Sequence, residues 1–91
     1  MKTIRRYDLA IEPIQKLSIP FNSNILKLGE FQNKPCLWVL VDMGTNEMVR
    51  SFVMMAEGKE LPQKFNETNY IGCFEAKAEV GKHVLHVFED T

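Results

Sequence analysis

Residues 36–41 read Cys-Leu-Trp-Val-Leu-Val, and residues 52–56 read Phe-Val-Met-Met-Ala. Both runs have the length of strands, and they contain the aromatic and β-branched residues that favour β-structure. They are apolar on both faces, whereas an antiparallel strand with one face in water alternates apolar and polar residues. The sequence has no amphipathic helix to cover the second face. We therefore expect that face to meet the opposite wall of a closed barrel, a ligand or another copy of the protein.

The sequence before and between these runs shows the same strand pattern. Residues 25–31, 36–42 and about 48–56 predict a three-strand meander, because turns of hairpin length separate them. Residues 3–11 alternate loosely, and Pro13 ends that strand because proline cannot donate a hydrogen bond to a neighbouring strand. Strands joined by short turns are typical of an antiparallel β-fold.

The C-terminal part of the chain predicts a second hairpin. Residues 57–68 are polar and predict a surface loop. Residues 70–75 and 83–89 are expected to pair around a turn near residues 80–82. We therefore predict a single all-β domain over residues 1–91, a small antiparallel barrel or sandwich of six to seven short strands.

Length and charge narrow the possible functions. The chain has 91 residues, with 11 Lys and Arg against 12 Asp and Glu. A general nucleic-acid binder is usually far more basic, and a mimic of DNA charge would be far more acidic, so neither class is expected. A folded monomer of this mass leaves about 5,400 Å² of surface exposed. The low cysteine content and the charged N-terminal residues predict a soluble protein of a reducing cytoplasm.

The residues that usually carry catalysis do not form a known motif. On a strand, His83 and His86 point to opposite faces, so one metal ion would not easily bind both. Cys36 and Cys73 lie among apolar residues, which predicts hidden thiols, and they lack the spacing of zinc ligands. We expect no metal, no cofactor and no enzymatic activity. His86 is expected to be a core or half-buried histidine, hydrogen-bonded to a backbone carbonyl.

Several side chains in or beside the apolar runs are candidates for contact with a ligand or partner. Aromatic rings offer stacking surfaces, methionines adapt to irregular partners, and carboxylates at strand ends can lie close together. The candidates are Trp38, Asp42, Arg50, Met54, Tyr70 and His86.

At CLWVLVD (36–42), YIGCF (70–74) and HVFE (86–89), the chain resembles a family of small uncharacterised proteins of bacteriophages and prophages. Family members begin with a segment like IRRYDLAI (4–11), and the resemblance covers nearly the whole chain. Many members carry a GTG-like turn where this sequence has AEG (56–58). The resemblance implies an all-β fold and a phage setting, with the host cell cytoplasm as the location.

Small phage proteins outside the virion often act by binding, and this analogy gives our functional hypothesis. We expect a non-enzymatic accessory protein that inhibits or sequesters a host or defence protein, or a nucleotide-like signal. We also expect a homo-oligomer, most simply a dimer. The alternative is a structural or assembly component of the phage particle.

Overall fold

Short runs rich in apolar, β-branched and aromatic residues form seven strands in the structure, a computed structural model that describes residues 1–78 and 81–90. The strands are β1 (Lys2–Asp8), β2 (Ile14–Pro20), β3 (Asn24–Phe31), β4 (Lys34–Asp42), β5 (Glu47–Ala56), β6 (Tyr70–Ala78) and β7 (Gly81–Asp90). They form a three-stranded sheet in the order β1-β4-β3 and a four-stranded sheet in the order β2-β5-β7-β6. The all-β prediction is confirmed. The two sheets form a sandwich and do not close into a barrel.

Two hairpins join strands that are neighbours in sequence. β3 and β4 are connected through Gln32 and Asn33, whose φ angles of 52° and 65° lie in the left-handed region that two-residue hairpin turns require. β6 and β7 pair from Tyr70↔Phe88 to Ala78↔Gly81, as the sequence predicted. Val80, which belongs to the predicted turn, lies outside the described residues.

The predicted meander is wrong at its third strand. β1 pairs with β4 along its whole length, from Lys2↔Asp42 to Asp8↔Cys36, and so occupies the edge that β5 would have needed. β5 instead lies between β2 and β7 in the other sheet. The two doubly apolar runs therefore belong to opposite sheets and face each other across the core.

The core forms where the inner faces of the two sheets meet. Leu37, Val39 and Val41 of β4 point inward from the three-stranded sheet, and Phe52 and Met54 of β5 meet them from the other side. Ile19, Leu28, Phe74 and Val87 complete the centre of this cluster. None of the described residues forms a helix long and apolar enough to cross a membrane.

The outer faces of the two sheets are covered differently. The connection 57–69 folds over the four-stranded sheet, where the buried Phe65 ring lies 5.6 Å from the ring of Phe88. On the three-stranded sheet, the half-buried Trp38 ring lies against Gly29. The contact is so close that a Cβ on residue 29 would collide with the ring. Ile4, 59% exposed, lies on the same outer face. The protein exposes 6344 Å² in total.

Candidate functional site

β3 and β6 are edge strands of opposite sheets, and they run side by side without hydrogen bonds between them. The two strands approach each other closely at Gly72 and Leu28, where a Cβ on the glycine would lie 3.3 Å from the Leu28 Cβ. A larger residue than glycine at position 72 would push the strands apart. We call this unpaired boundary between β3 and β6 the seam.

The seam opens at one end because both strands carry an irregularity there. β3 shifts register between Ile25 and Lys27, and β6 shifts register between Tyr70 and Gly72. Such bulges bend a strand and re-aim its side chains, and they occur frequently next to functional sites. Here they border a pocket of about 370 Å³, which we call the seam pocket. Its wall is formed by Ile25, Leu26, Lys27, Thr68, Asn69, Tyr70, Ile71 and the pair Arg50–Glu89.

The pair Arg50–Glu89 is a rigid part of this wall. Arg50 donates from Nε to Glu89 Oε2 at 2.5 Å and from Nη2 to Oε1 at 2.6 Å. Its Nη1 donates to the backbone oxygen of Ser23 at 2.7 Å. The hydrogen bond to Glu89 raises the pKa of Arg50, although burial acts in the opposite direction. The guanidinium charge is thus committed to Glu89.

Tyr70 connects the seam pocket to the outer face of the four-stranded sheet. Its ring lies edge-on to Phe88 with centroids 5.2 Å apart, and 41% of the residue remains exposed. Its hydroxyl lies 2.8 Å from Nδ1 of His86, and Nε2 of that histidine lies 3.2 Å from a carboxylate oxygen of Glu57. Burial raises the pKa of Tyr70, and the adjacent Cys73 thiol and the Glu57 charge act in the same direction.

Comparison with known proteins identifies the family of this chain. The family model described as "Domain of unknown function (DUF7352)" matches residues 1–91. The chain belongs to the DUF7352 family. No curated protein and no solved structure matches it significantly.

In this DUF7352 domain, two expectations about single residues prove wrong. His86 is half-buried, one of the two predicted placements, but its ring nitrogens bond to the side chains of Tyr70 and Glu57 instead of a backbone carbonyl. Cys73 is exposed, since it points outward from β6, whereas only Cys36 has the predicted hidden thiol. Burial raises the pKa of the Cys36 thiol. Among residues 1–78 and 81–90, no group of three or more His, Cys, Asp or Glu is placed to hold a metal ion.

Three of the six candidate residues lie together. Arg50 and Tyr70 line the seam pocket, and His86 is bonded to Tyr70. Trp38 lies on β4 as the strand partner of Lys27, but it does not line the seam pocket. Asp42 also belongs to that sheet, where its carboxylate pairs with the N-terminal amine at 3.2 Å. Met54 is 6% exposed and belongs to the core.

Among the charged side chains of the site, sequence reasoning missed Lys27, Glu57 and Glu89. Lys27 had a readable signal, because the adjacent Ile25 and Leu26 break the alternation of β3 at the bulge. Glu57 had none, since it reaches His86 only after the connection folds back over the sheet, with its backbone amide bonded to the oxygen of Val84.

Proposed function

We propose that this DUF7352 protein is a phage accessory protein that acts by binding, and that its seam pocket holds a small anionic ligand with an aromatic ring, such as a nucleotide-like signal. The observation that carries this proposal is the placement of Lys27 and the partly exposed Tyr70 in the wall of one pocket. The pocket volume of about 370 Å³ is in the range of small-molecule sites, about 300–1,000 Å³.

The wall offers the two contacts that such a ligand uses. Among the described residues Lys27 takes part in no ion pair, so its charge is free to meet a phosphate. The exposed Tyr70 ring provides a surface for base stacking, which contributes about 1–3 kcal/mol per base. Arg50 shapes the wall while its charge stays with Glu89.

The same arrangement supports binding over catalysis. Among the described residues, Glu89 is the only carboxylate in the wall of this pocket, and it accepts two hydrogen bonds from Arg50. A carboxylate held in this way is a poor general base, because abstracting a proton would require it to lose its bond to the guanidinium.

Titration with mono- and cyclic nucleotides, followed by native mass spectrometry, tests the proposal. We expect one nucleotide per chain, and we expect Lys27→Gln to weaken binding about tenfold at low salt. Lys16→Gln is the matched control, because Lys16 points outward from β2 in the four-stranded sheet. Equal loss in both variants, or no bound nucleotide at millimolar concentration, would contradict the seam pocket as the site.

A pull-down from infected cells separates the wider alternatives. Suppose that a host or defence protein is recovered in stoichiometric amount and that the phage protein carries no nucleotide. The partner is then a protein, and the small-ligand proposal is contradicted. Copurification with intact virions would instead favour a structural or assembly role.

We further propose that a second copy covers the outer face of the three-stranded sheet. The exposed area of 6344 Å² exceeds the value expected for this mass by roughly 900 Å². Each partner in a typical stable interface buries about 800 Å². Ile4 and Phe31 are exposed on this face, beside the half-buried Trp38 and Leu40 of β4. Arg6, stacked 3.8 Å above the Phe31 ring, adds a polar edge to the apolar patch.

A further inference from the structure

The flank of β1 that faces away from β4 is an open sheet edge with positive charge. β1 is an edge strand of the three-stranded sheet, and all of its residues except Tyr7 are exposed. The edge carries Lys2, Arg5 and Arg6, with Asp8 as the one acid of the strand. We propose that this open flank binds an extended acidic segment of a partner protein, which joins the sheet as a further strand beside β1.

The hydrogen bonds to β4 show which backbone groups the open flank offers. At one end of the strand pair the Leu9 amide donates to the Pro35 oxygen at 2.9 Å. At the other end the Met43 amide donates to the Met1 oxygen at 2.8 Å. Bonding to the partner alternates along an antiparallel pair, and the register of this pair is unbroken, so the odd-numbered residues of β1 bond to β4. The open flank therefore presents the backbone amides and carbonyls of Lys2, Ile4, Arg6 and Asp8.

Among the strands that the structure describes, the other three edges are less suited to an added strand. β3 and β6 border each other along the seam, so each occupies the flank of the other. β2 carries Lys16 as its one charged residue, and it ends at Pro20, which has no amide to donate. The open flank of β1 thus combines exposure, charge and a full set of backbone donors and acceptors.

Two cations at this flank have no acidic partner within the described part of the chain. Lys2 and Arg5 form no ion pair there. Arg5 lies 5.4 Å from the centroid of the Tyr7 ring on the same strand, which keeps its charge at the edge. Arg6, by contrast, bonds to Asp8 and stacks on the Phe31 ring of β3, so its charge is committed.

These charges favour an acidic strand over a second copy of β1. Like charges opposite each other destabilise a strand pair, and cations on an edge strand protect it from pairing with its own kind. Opposite charges across two strands stabilise the pair. Because Lys2 and Arg5 are three residues apart, they point to opposite faces of the sheet. We therefore expect two acidic residues, three positions apart, in the bound segment.

The backbone groups favour a peptide over a nucleic acid. A peptide strand offers both donors and acceptors to a sheet edge, which gives strand addition its affinity. Phosphate oxygens accept hydrogen bonds from amides but leave the carbonyls of the open flank unused. The net charge of −1 also disfavours general binding of nucleic acids. This inference does not depend on the ligand proposed for the seam pocket.

Fluorescence anisotropy with a labelled peptide, Thr-Val-Glu-Val-Thr-Glu-Val-Thr, tests the proposal on the whole protein at low salt. We expect saturable binding, and about tenfold weaker binding when both glutamates are replaced by glutamine. The double variant Lys2→Glu, Arg5→Glu should weaken binding of the acidic peptide by a similar factor. Lys16→Glu is the matched control, since Lys16 is exposed on the edge strand β2 of the other sheet.

Amide hydrogen exchange separates strand addition from a purely electrostatic contact. On peptide binding, the amides of Ile4 and Arg6 should gain protection, whereas those of Thr3, Arg5 and Tyr7 already bond to β4 and should change little. Of two peptides N-methylated at alternate residues, one should lose binding and the other should keep it, because a strand bonds through one flank.

Three results would overturn the proposal. The first is no binding of the acidic peptide at millimolar concentration. The second is binding that leaves the Ile4 and Arg6 amides unprotected or that the charge variant does not weaken. The third is binding of a thymidine oligonucleotide without binding of the peptide, which would assign this edge to nucleic acid.

Discussion

Arg50 and Glu89 form a two-point ion pair between neighbouring strands β5 and β7, and the same guanidinium binds the backbone oxygen of Ser23. One side chain therefore ties together two strands of the four-stranded sheet and the turn before β3. Ser23 is itself buried, and its hydroxyl donates to the oxygen of Pro20 at 2.5 Å. This end of the sandwich is held by polar contacts, whereas the middle is held by the apolar core.

Removal of one partner of this pair should be costly. The Arg50 and Glu89 side chains keep only 18% and 15% exposure, so Arg50→Ala leaves a carboxylate poorly solvated. We expect a loss of about 3 kcal/mol in the free energy of unfolding, measured by urea denaturation. The double variant Arg50→Met, Glu89→Leu should lose much less, because it leaves no unpaired charge. Equal losses in the single and double variants would contradict this account.

The proposed dimer gives a mass that light scattering measures directly. After size exclusion at low micromolar concentration we expect twice the 10.5 kDa of the chain. Ile4→Lys should give the monomer mass, because it places a charge on the outer face of the three-stranded sheet. Ile14→Lys is the matched control, since Ile14 is 68% exposed and lies in the other sheet. A wild-type mass near 10.5 kDa at every concentration would rule the dimer out.

The Tyr70 hydroxyl should make stability fall at high pH. Burial raises its pKa, so the folded protein holds this proton more tightly than the unfolded chain does. The stabilisation is complete below the unfolded value of about 10 and is lost as the pH rises through the higher folded value. Urea denaturation between about pH 9 and about pH 11 should therefore show a steeper loss for the wild type than for Tyr70→Phe. Parallel curves for the two proteins would contradict the shift.

The contact between Gly29 and Trp38 predicts that a methyl group added at position 29 lowers the stability of the fold. Gly29→Ala places a carbon where the indole ring lies, so the ring must move. We expect a loss of about 1–3 kcal/mol and a change in tryptophan fluorescence. In a Trp38→Leu background the same substitution should cost little, since the obstructing ring is gone. A similar cost in both backgrounds would show that the ring is not the cause.

The sequence predicted the strands far better than their partners. Alternation identifies a strand from its own residues, and short turns connect β3 to β4 and β6 to β7, so these hairpins were predictable. The pairing of β1 with β4 was not predictable, because the sequence of β4 does not indicate which strand will form hydrogen bonds with its edge. The site shows the same division. Tyr70 and His86 were candidates by residue type, whereas Glu57 reaches the site only because the chain folds back over the sheet.

Exposure was the other quantity that the sequence left open. Cys36 and Cys73 both lie in apolar runs, and only the sheet order separates them. Cys36 lies on the central strand β4 between β1 and β3, where neighbours cover it. Cys73 lies on the edge strand β6, facing outward, where one flank has no hydrogen-bonded strand. Local composition therefore gave the same prediction for two thiols in opposite environments.

The strand order also determines how the chain assembles during synthesis. β1 pairs with β4, so Lys2 cannot find its partner until Asp42 has been made. The ribosome adds roughly 5–20 residues per second, so the hydrogen-bonding groups of β1 stay unpaired for about 2–8 seconds during synthesis. Closing such a long loop is also slow, because the chain loses conformational entropy before any stabilising contact between β1 and β4 forms. Lys2, Arg5 and Arg6 give this waiting strand a dense positive charge, which disfavours pairing with a second nascent chain.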